Sequence, residues 1–179
     1  MEAAPDKPVN HCAGCSACCK LLKIPNDDGS ILSAFQHWCQ HAVRPGGGCG
    51  IYPDRPMACR VFSCLWNDSQ ERVPEERMPA EMRPDRCHVV FGPYDPEHPN
   101  TLHVHVDKQN PMAWKRKDVK RWIERIVNRR TPDGRRITVV LSVGTKHTTI
   151  RADLANMRKT GPRNIPVARM TPAVGMRSA

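Results

Sequence analysis

Apolar positions follow two different periods in the second half of the chain and almost none in the first. HVVF at 88–91 and TLHVHV at 101–106 are separated by a loop rich in Gly, Pro and Asn, and in the second segment Leu102, Val104 and Val106 alternate with His103 and His105. A period of two lines up one set of side chains on one face of a strand, so the two segments predict a hairpin with one buried face. Val119, Trp122, Ile123, Ile126 and Val127 then fall at i, i+3, i+4, i+7 and i+8, the apolar stripe of an amphipathic helix. Asn110 can cap that helix and Pro111 suits its first position, which places the helix at Pro111–Arg130. TPDG at 131–134 ends it. RITVVLSV then alternates Ile137, Val139, Leu141 and Val143, and Gly144-Thr145 fits a two-residue turn into KHTTIR.

The first half carries no such rhythm. The stretch 67–86, NDSQERVPEERMPAEMRPDR, holds three prolines and many charges, and reads as an exposed connector with room for one helical turn. The expected fold class is α+β: a loop-rich cysteine-cluster module followed by a small sheet of about four strands with one packed amphipathic helix. The expected divisions are a tail at 1–10, a cysteine-cluster metal-binding module at 11–66, the connector at 67–86, a small basic α+β unit at 87–160 and a disordered basic tail at 161–179.

Composition changes this picture in two ways. With 39% apolar and 5% aromatic residues against 11 glycines and 17 prolines, the core of these 179 residues is expected to be thin and to need a metal or disulfides for support. Charge is split: residues 1–107 carry 10 Lys+Arg against 14 Asp+Glu, and residues 108–179 carry 18 against 4. No apolar run approaches the about 20 residues of a membrane span. Met1–Asn10 has no signal-like apolar stretch, so a cytoplasmic protein without a membrane is expected. The sequence leaves the oligomeric state open.

All nine cysteines lie between positions 12 and 87. Thiols in a reducing compartment are mostly free, catalytic or metal-bound, and such crowding favours metal. Cys12-x-x-Cys15 and Cys15-x-x-Cys18 have the spacing at which a turn aims two sulfurs at one tetrahedral ion. Cys18 and Cys19 are adjacent, so their side chains diverge and suit two sites or a bridged pair better than one ion. Cys39, Cys49, Cys59 and Cys64 follow, so that eight thiols form two sets of four, or one set plus redox thiols, with Cys87 left over. His11, His37, His41 and His88 each lie within two residues of a cysteine and can replace a sulfur, although surface histidine is the plainer reading. The same holds for His103 and His105, which share a strand face.

The segments CAGCSACC at 12–19, WCQHA at 38–42 and GCGIYPDRPMACRVFSCLW at 48–66 resemble the YkgJ-type cysteine-cluster family, bacterial proteins with a CxxCxxCC zinc- or iron-chelating domain. The resemblance covers residues 11–66; RPDRCHVVF and the basic helix and hairpin are similar to a longer subgroup. It implies metal chelation by Cys12, Cys15, Cys18, Cys19, Cys39, Cys49, Cys59 and Cys64, and no assigned catalytic activity. Zn²⁺ is the first expectation, because a closed thiolate site needs no redox chemistry and contributes folding free energy. Iron or an iron–sulfur cluster is the alternative. A related cluster in flagellin lysine methylases implies the further alternative of an accessory redox module in an enzyme system. Tyr52, Arg55, Pro56 and Arg60 belong to the same block, where the arginines can offset thiolate charge. A nucleic-acid-associated protein with structural zinc is the remaining alternative, with Lys117, Arg121 and Arg125 on the basic helix as the contact.

Overall fold

The structure is a computed structural model and describes residues 14–44, 47–94, 98–144 and 146–150. Cys12, His11 and both expected tails lie outside the described residues. The chain opens with a helical turn, α1 (Cys18–Leu21), and a short antiparallel pair, β1 (Ile24–Pro25) and β2 (Ile31–Ser33). Two more short helices follow, α2 (Met57–Val61) and α3 (Leu65–Ser69), then α4 (Pro84–Cys87). The rest is β3 (Val89–Tyr94), β4 (Thr101–Val106), α5 (Lys117–Val127), β5 (Thr138–Val143) and β6 (Lys146–Ile150). Among the described residues no helix is long and apolar enough to cross a membrane.

The protein is α+β, with one four-stranded sheet in the order β3-β4-β5-β6. The outer pairs are antiparallel, as the two hairpins predicted, but the inner pair β4 and β5 is parallel, with Leu102 opposite Val139 and Val104 opposite Leu141. Parallel neighbours need a long crossover, and α5 supplies it. Leu102, Val104 and Val106 of β4 meet Val119, Ile123, Ile126 and Val127 of α5 in one buried cluster. Both periodic patterns therefore serve the same core.

Two expectations need correction. α5 begins at Lys117, not Pro111, because residues 113–115 form a separate 3₁₀ turn and Arg116 is extended (φ −55, ψ 143). Asn110 accordingly does not cap α5; its carbonyl accepts the N–H of Ala113 instead. The connector is also less exposed than its prolines suggest. Pro74, Pro79 and Pro84 begin or precede short turns, and between them Met78 and Met82 are driven fully into the core beside Trp66 and Cys87. Leu21 and Cys64 join the same cluster, so the cysteine-rich half and the sheet share one core.

Polar groups clamp the two halves together. Lys20 of α1 places its ammonium 2.6 Å from Asp107 Oδ2 and 2.7 Å from Gln109 Oε1, with both members of the ion pair buried. Burial pushes the Asp107 carboxyl up, but the Lys20 hydrogen bond, the Gln109 backbone N–H and the ammonium charge outweigh it and hold the carboxyl below its ordinary value. Gln36 is buried in left-handed backbone (φ 63); its amide donates to Val106 O (2.8 Å) and its carbonyl accepts the Lys108 N–H (3.0 Å). Those two bonds offset the cost of that backbone conformation. Phe35 beside it sets its ring edge-on to His105 at 5.6 Å.

His105 was expected to be solvated, and it is not. Its Nδ1 is sealed from water with no hydrogen-bond partner among the described residues, and its ring stacks on His103 at 6.3 Å. Burial first, then the neighbouring His103 and His147, depress it from 6.5 to about 3. Between those values the unfolded chain binds a proton that the folded chain does not, so stability is complete above pH 6.5 and falls as the pH drops toward 3. We expect His105→Phe to flatten the decline of the urea midpoint between about pH 6.5 and 4.5, a slope that this group limits to about 1.4 kcal/mol per pH unit. A second expectation concerns the clamp. Lys20→Met alone should cost about 3–5 kcal/mol by leaving Asp107 buried and unpaired, and adding Asp107→Leu should recover most of that loss in the same melts.

Candidate metal centre

Local backbone geometry splits the opening cysteines. Residues 17–21 form one helical turn, in which Cys19 N–H donates to Ser16 O (3.0 Å) and Leu21 N–H to Ala17 O (2.9 Å). Cys18 and Cys19 are successive residues of that turn, yet their thiols stay in contact, with the Cys18 thiol donating to Cys19. Cys15 stands near Cys64 and Asp85, whereas Cys19 stands near Cys59 and Arg55.

Three further segments bring thiols to the Cys19 side. Cys39 N–H donates to Cys19 O at 2.8 Å, which ties the loop after β2 to α1. Cys49 is carried back toward that loop by a bridge with Ala42 and by the Gly50 N–H bond to His41 O (2.9 Å). Cys59 lies on α2, whose first N–H, that of Met57, is capped from the β1–β2 turn by Asp27 Oδ1 at 2.7 Å. On the other side Cys64 caps α3 and is buried against the shared core.

Electrostatics records the convergence. Burial, and then the negative charges that Cys19, Cys39 and Cys49 acquire on ionising, push the Cys59 thiol up to about 11, against a lowering by Arg55. Cys15 is also pushed up, by burial and by Asp85 and Cys64, although a backbone N–H at Ala17 opposes this. Cys19 moves the other way, to about 7, because the Cys18 thiol donates to it and Arg55 lies nearby, together outweighing burial. Arg55 is held for that task by its Nε bond to Tyr52 O (2.9 Å) and by stacking on the Tyr52 ring at 3.7 Å. Arg60 Nε in turn holds Arg55 O at 2.6 Å. Lys20 and Arg44 lie over the Trp38 ring, next to Cys39, at 5.6 and 5.0 Å. Of these cations, Arg55 is the one that bears on the Cys19 and Cys59 thiols.

None of the eight described cysteines is in a disulfide. Cys15, Cys18, Cys19, Cys39, Cys49, Cys59 and Cys64 all belong to this region. Among the described residues, no three His, Cys, Asp or Glu side chains are grouped closely enough to hold one metal ion as they stand. The donor chemistry nevertheless suits a thiophilic ion: soft sulfur ligands, cations to balance thiolate charge, and side chains whose rotamers are the main freedom left. Two of the neighbouring histidines have other partners. His37 Nδ1 meets Phe35 O at 2.9 Å, His41 Nε2 meets the Gln40 amide at 3.2 Å, and His88 is the left-handed residue that ends α4 (φ 61).

Cys87 stands apart. It is fully buried in the core and its thiol approaches the carbonyls of Met82 and Val89, each at 3.3 Å. Burial pushes it up to about 12. Sequence reasoning missed Asp85, which sits beside Cys15 and is paired with Arg83 at 2.6 Å; its one visible signal was a carboxylate two positions before Cys87. No family model matches the chain, and no curated protein or solved structure matches it.

In reduced, metal-free protein near neutral pH, iodoacetamide should label Cys19 first and Cys87 last among the described cysteines, because only the thiolate reacts and Cys19 is half-buried and lowered where Cys87 is fully buried and raised. Mass mapping of timed samples checks the order, and labelling of Cys87 as fast as Cys19 would contradict it.

Proposed function

We propose that this chain is a cytoplasmic, metal-chelating cysteine-cluster protein with no assigned catalytic activity, and that it holds Zn²⁺ in preference to iron or an iron–sulfur cluster. One observation carries the reading: the charges of Cys19, Cys39 and Cys49, from three separate segments, add to burial in raising the Cys59 thiol. Without a cation such a group is electrostatically unfavourable once ionised, whereas a bound cation turns the same crowding into affinity. Cys19, Cys39, Cys49 and Cys59 then form one four-sulfur set. Cys15 and Cys64 belong to a second set with Cys12, and Cys18, whose thiol donates to Cys19, bridges the two. Zinc is favoured because closed sulfur sites of this kind are structural and need no electron acceptor.

A second reading has its own support. Lys117, Arg121 and Arg125 form an exposed stripe on α5 without an ion pair to any described carboxylate. That arrangement favours a phosphate-bearing partner and a nucleic-acid-associated protein with structural zinc. Reversal of the three charges should then abolish a salt-dependent interaction with RNA or DNA.

Anaerobic purification followed by elemental analysis and a visible spectrum tests the main reading. We expect colourless protein with bound zinc, less metal in Cys59→Ala, and wild-type content in Cys87→Ala. A visible band with acid-labile sulfide would transfer the reading to an iron–sulfur cluster. Metal-free protein with every thiol titratable would overturn chelation altogether.

A further inference from the structure

A groove of about 570 Å³ opens on the side of the molecule formed by α3, the segment after it and the C-terminal end of α5. Leu65, Met78, Trp122, Ile126 and Ile137 line its apolar part, and Arg72, Arg129 and Arg130 its polar part. No cysteine is among the lining residues. Its volume lies within the range of small-molecule sites, about 300–1,000 Å³.

The charge at this groove is unbalanced. Glu76 is the one carboxylate lining it, and it already faces Arg72 at 3.7 Å. Arg130 donates to Gly134 O at 2.7 Å, a neutral partner that leaves its charge uncompensated. Arg129 makes no side-chain hydrogen bond or ion pair with any described residue. A smaller adjoining hollow of about 110 Å³ is lined by Arg130 and adds Arg136. The C-terminus of α5 contributes about half a negative charge at most, which two uncompensated guanidiniums exceed.

We propose that the groove binds a small amphipathic anion, an apolar or aryl body carrying one carboxylate or phosphate. The body lies on Leu65 and Trp122, the half-exposed apolar side chains of the lining, and its acidic group meets Arg129 and Arg130. Buried apolar contact supplies affinity, and paired guanidinium bonds to a planar anion fix orientation. The guanidiniums gather around an apolar floor rather than along a track, which favours a single anion over a polymer of phosphates.

The test uses the full chain with its metal content intact, observed by the Trp122 indole N–H in heteronuclear NMR and by calorimetry. Octanoate and phenyl phosphate serve as probes, and the stronger of the two identifies the acidic group as carboxylate or phosphate. We expect saturable binding of at least one of them, about tenfold or more weaker binding in Arg129→Glu, and a similar loss when 1-octanol replaces octanoate. Arg129 is exposed, so the variant leaves the fold intact; Thr131→Trp, which fills the groove from its rim, should abolish binding independently. The proposal is overturned if neither probe perturbs Trp122, if Arg129→Glu binds as well as wild type, or if oligothymidylate shifts Trp122 while both small anions leave it unmoved. Because no cysteine lines the groove, loss of metal in Cys59→Ala with unchanged anion binding would separate this site from the thiol centre.

Discussion

The buried contact between Lys20 and Asp107 holds the cysteine-rich half in place. Lys20 follows Cys19 on the single turn of α1, and Asp107 follows the last residue of β4, so a 2.6 Å bond joins the thiol cluster to the centre of the sheet. The same ammonium lies over Trp38, the neighbour of Cys39, and Cys39 is itself hydrogen-bonded to Cys19. An ion pair taken out of water gains little net stability, since desolvation offsets most of the attraction. Its effect is on geometry: a buried ammonium accepts few alternative partners, so the direction in which Cys19 points is fixed by a carboxylate on another element. Gln36 adds a second fixed point by bonding to both sides of the same β4 terminus.

With the frame fixed, the behaviour of the thiols follows from charge. The charges of Cys19, Cys39 and Cys49 raise the cost of ionising Cys59, on top of its burial. The surrounding residues reduce that cost part of the way. Arg55 lowers both Cys19 and Cys59, and Lys20 and Arg44 stand on the Trp38 ring beside Cys39. Arg55 acts from outside the sulfur group, so it moderates repulsion without replacing an ion at its centre. The Pro-rich YPDRP turn serves the same end, since it holds Arg55 against Tyr52 where a flexible loop would release it.

Much of the sheet and helix was legible because their signals are local. Alternation in TLHVHV and RITVVLSV, and the stripe from Val119 to Val127, need only neighbouring residues to be read, and the residues they predict as buried largely are. What was hidden depends on contacts distant in sequence. The parallel pairing of β4 with β5 follows from α5 packing back across the sheet, and no turn motif announces it. Arg116 breaks the expected first turns of α5 while its guanidinium bonds Asp118 and Arg86 O, partners that a propensity argument does not weigh. In the connector, prolines signal an irregular backbone correctly but say nothing about burial, and Met78 and Met82 occupy the core all the same. The cysteine spacing exposed a cluster, yet its division between the Cys15 and Cys19 sides depends on which way one helical turn faces.

Cys59 and Cys87 make the underlying rule explicit. Both thiols are pushed well above the ordinary value, to about 11 and about 12, for different reasons. For Cys87 the first cause is burial in an apolar core, where its thiol approaches two backbone carbonyls. Removing that burial would mean unfolding the protein, so no cation can reverse the shift. For Cys59 the charges of three neighbouring sulfurs add to burial, and those charges respond to whatever enters among them. A metal ion would lower Cys59 and leave Cys87 unchanged. The ninth cysteine is thus set apart from the sulfur cluster by the nature of its surroundings rather than by its reactivity as an isolated thiol.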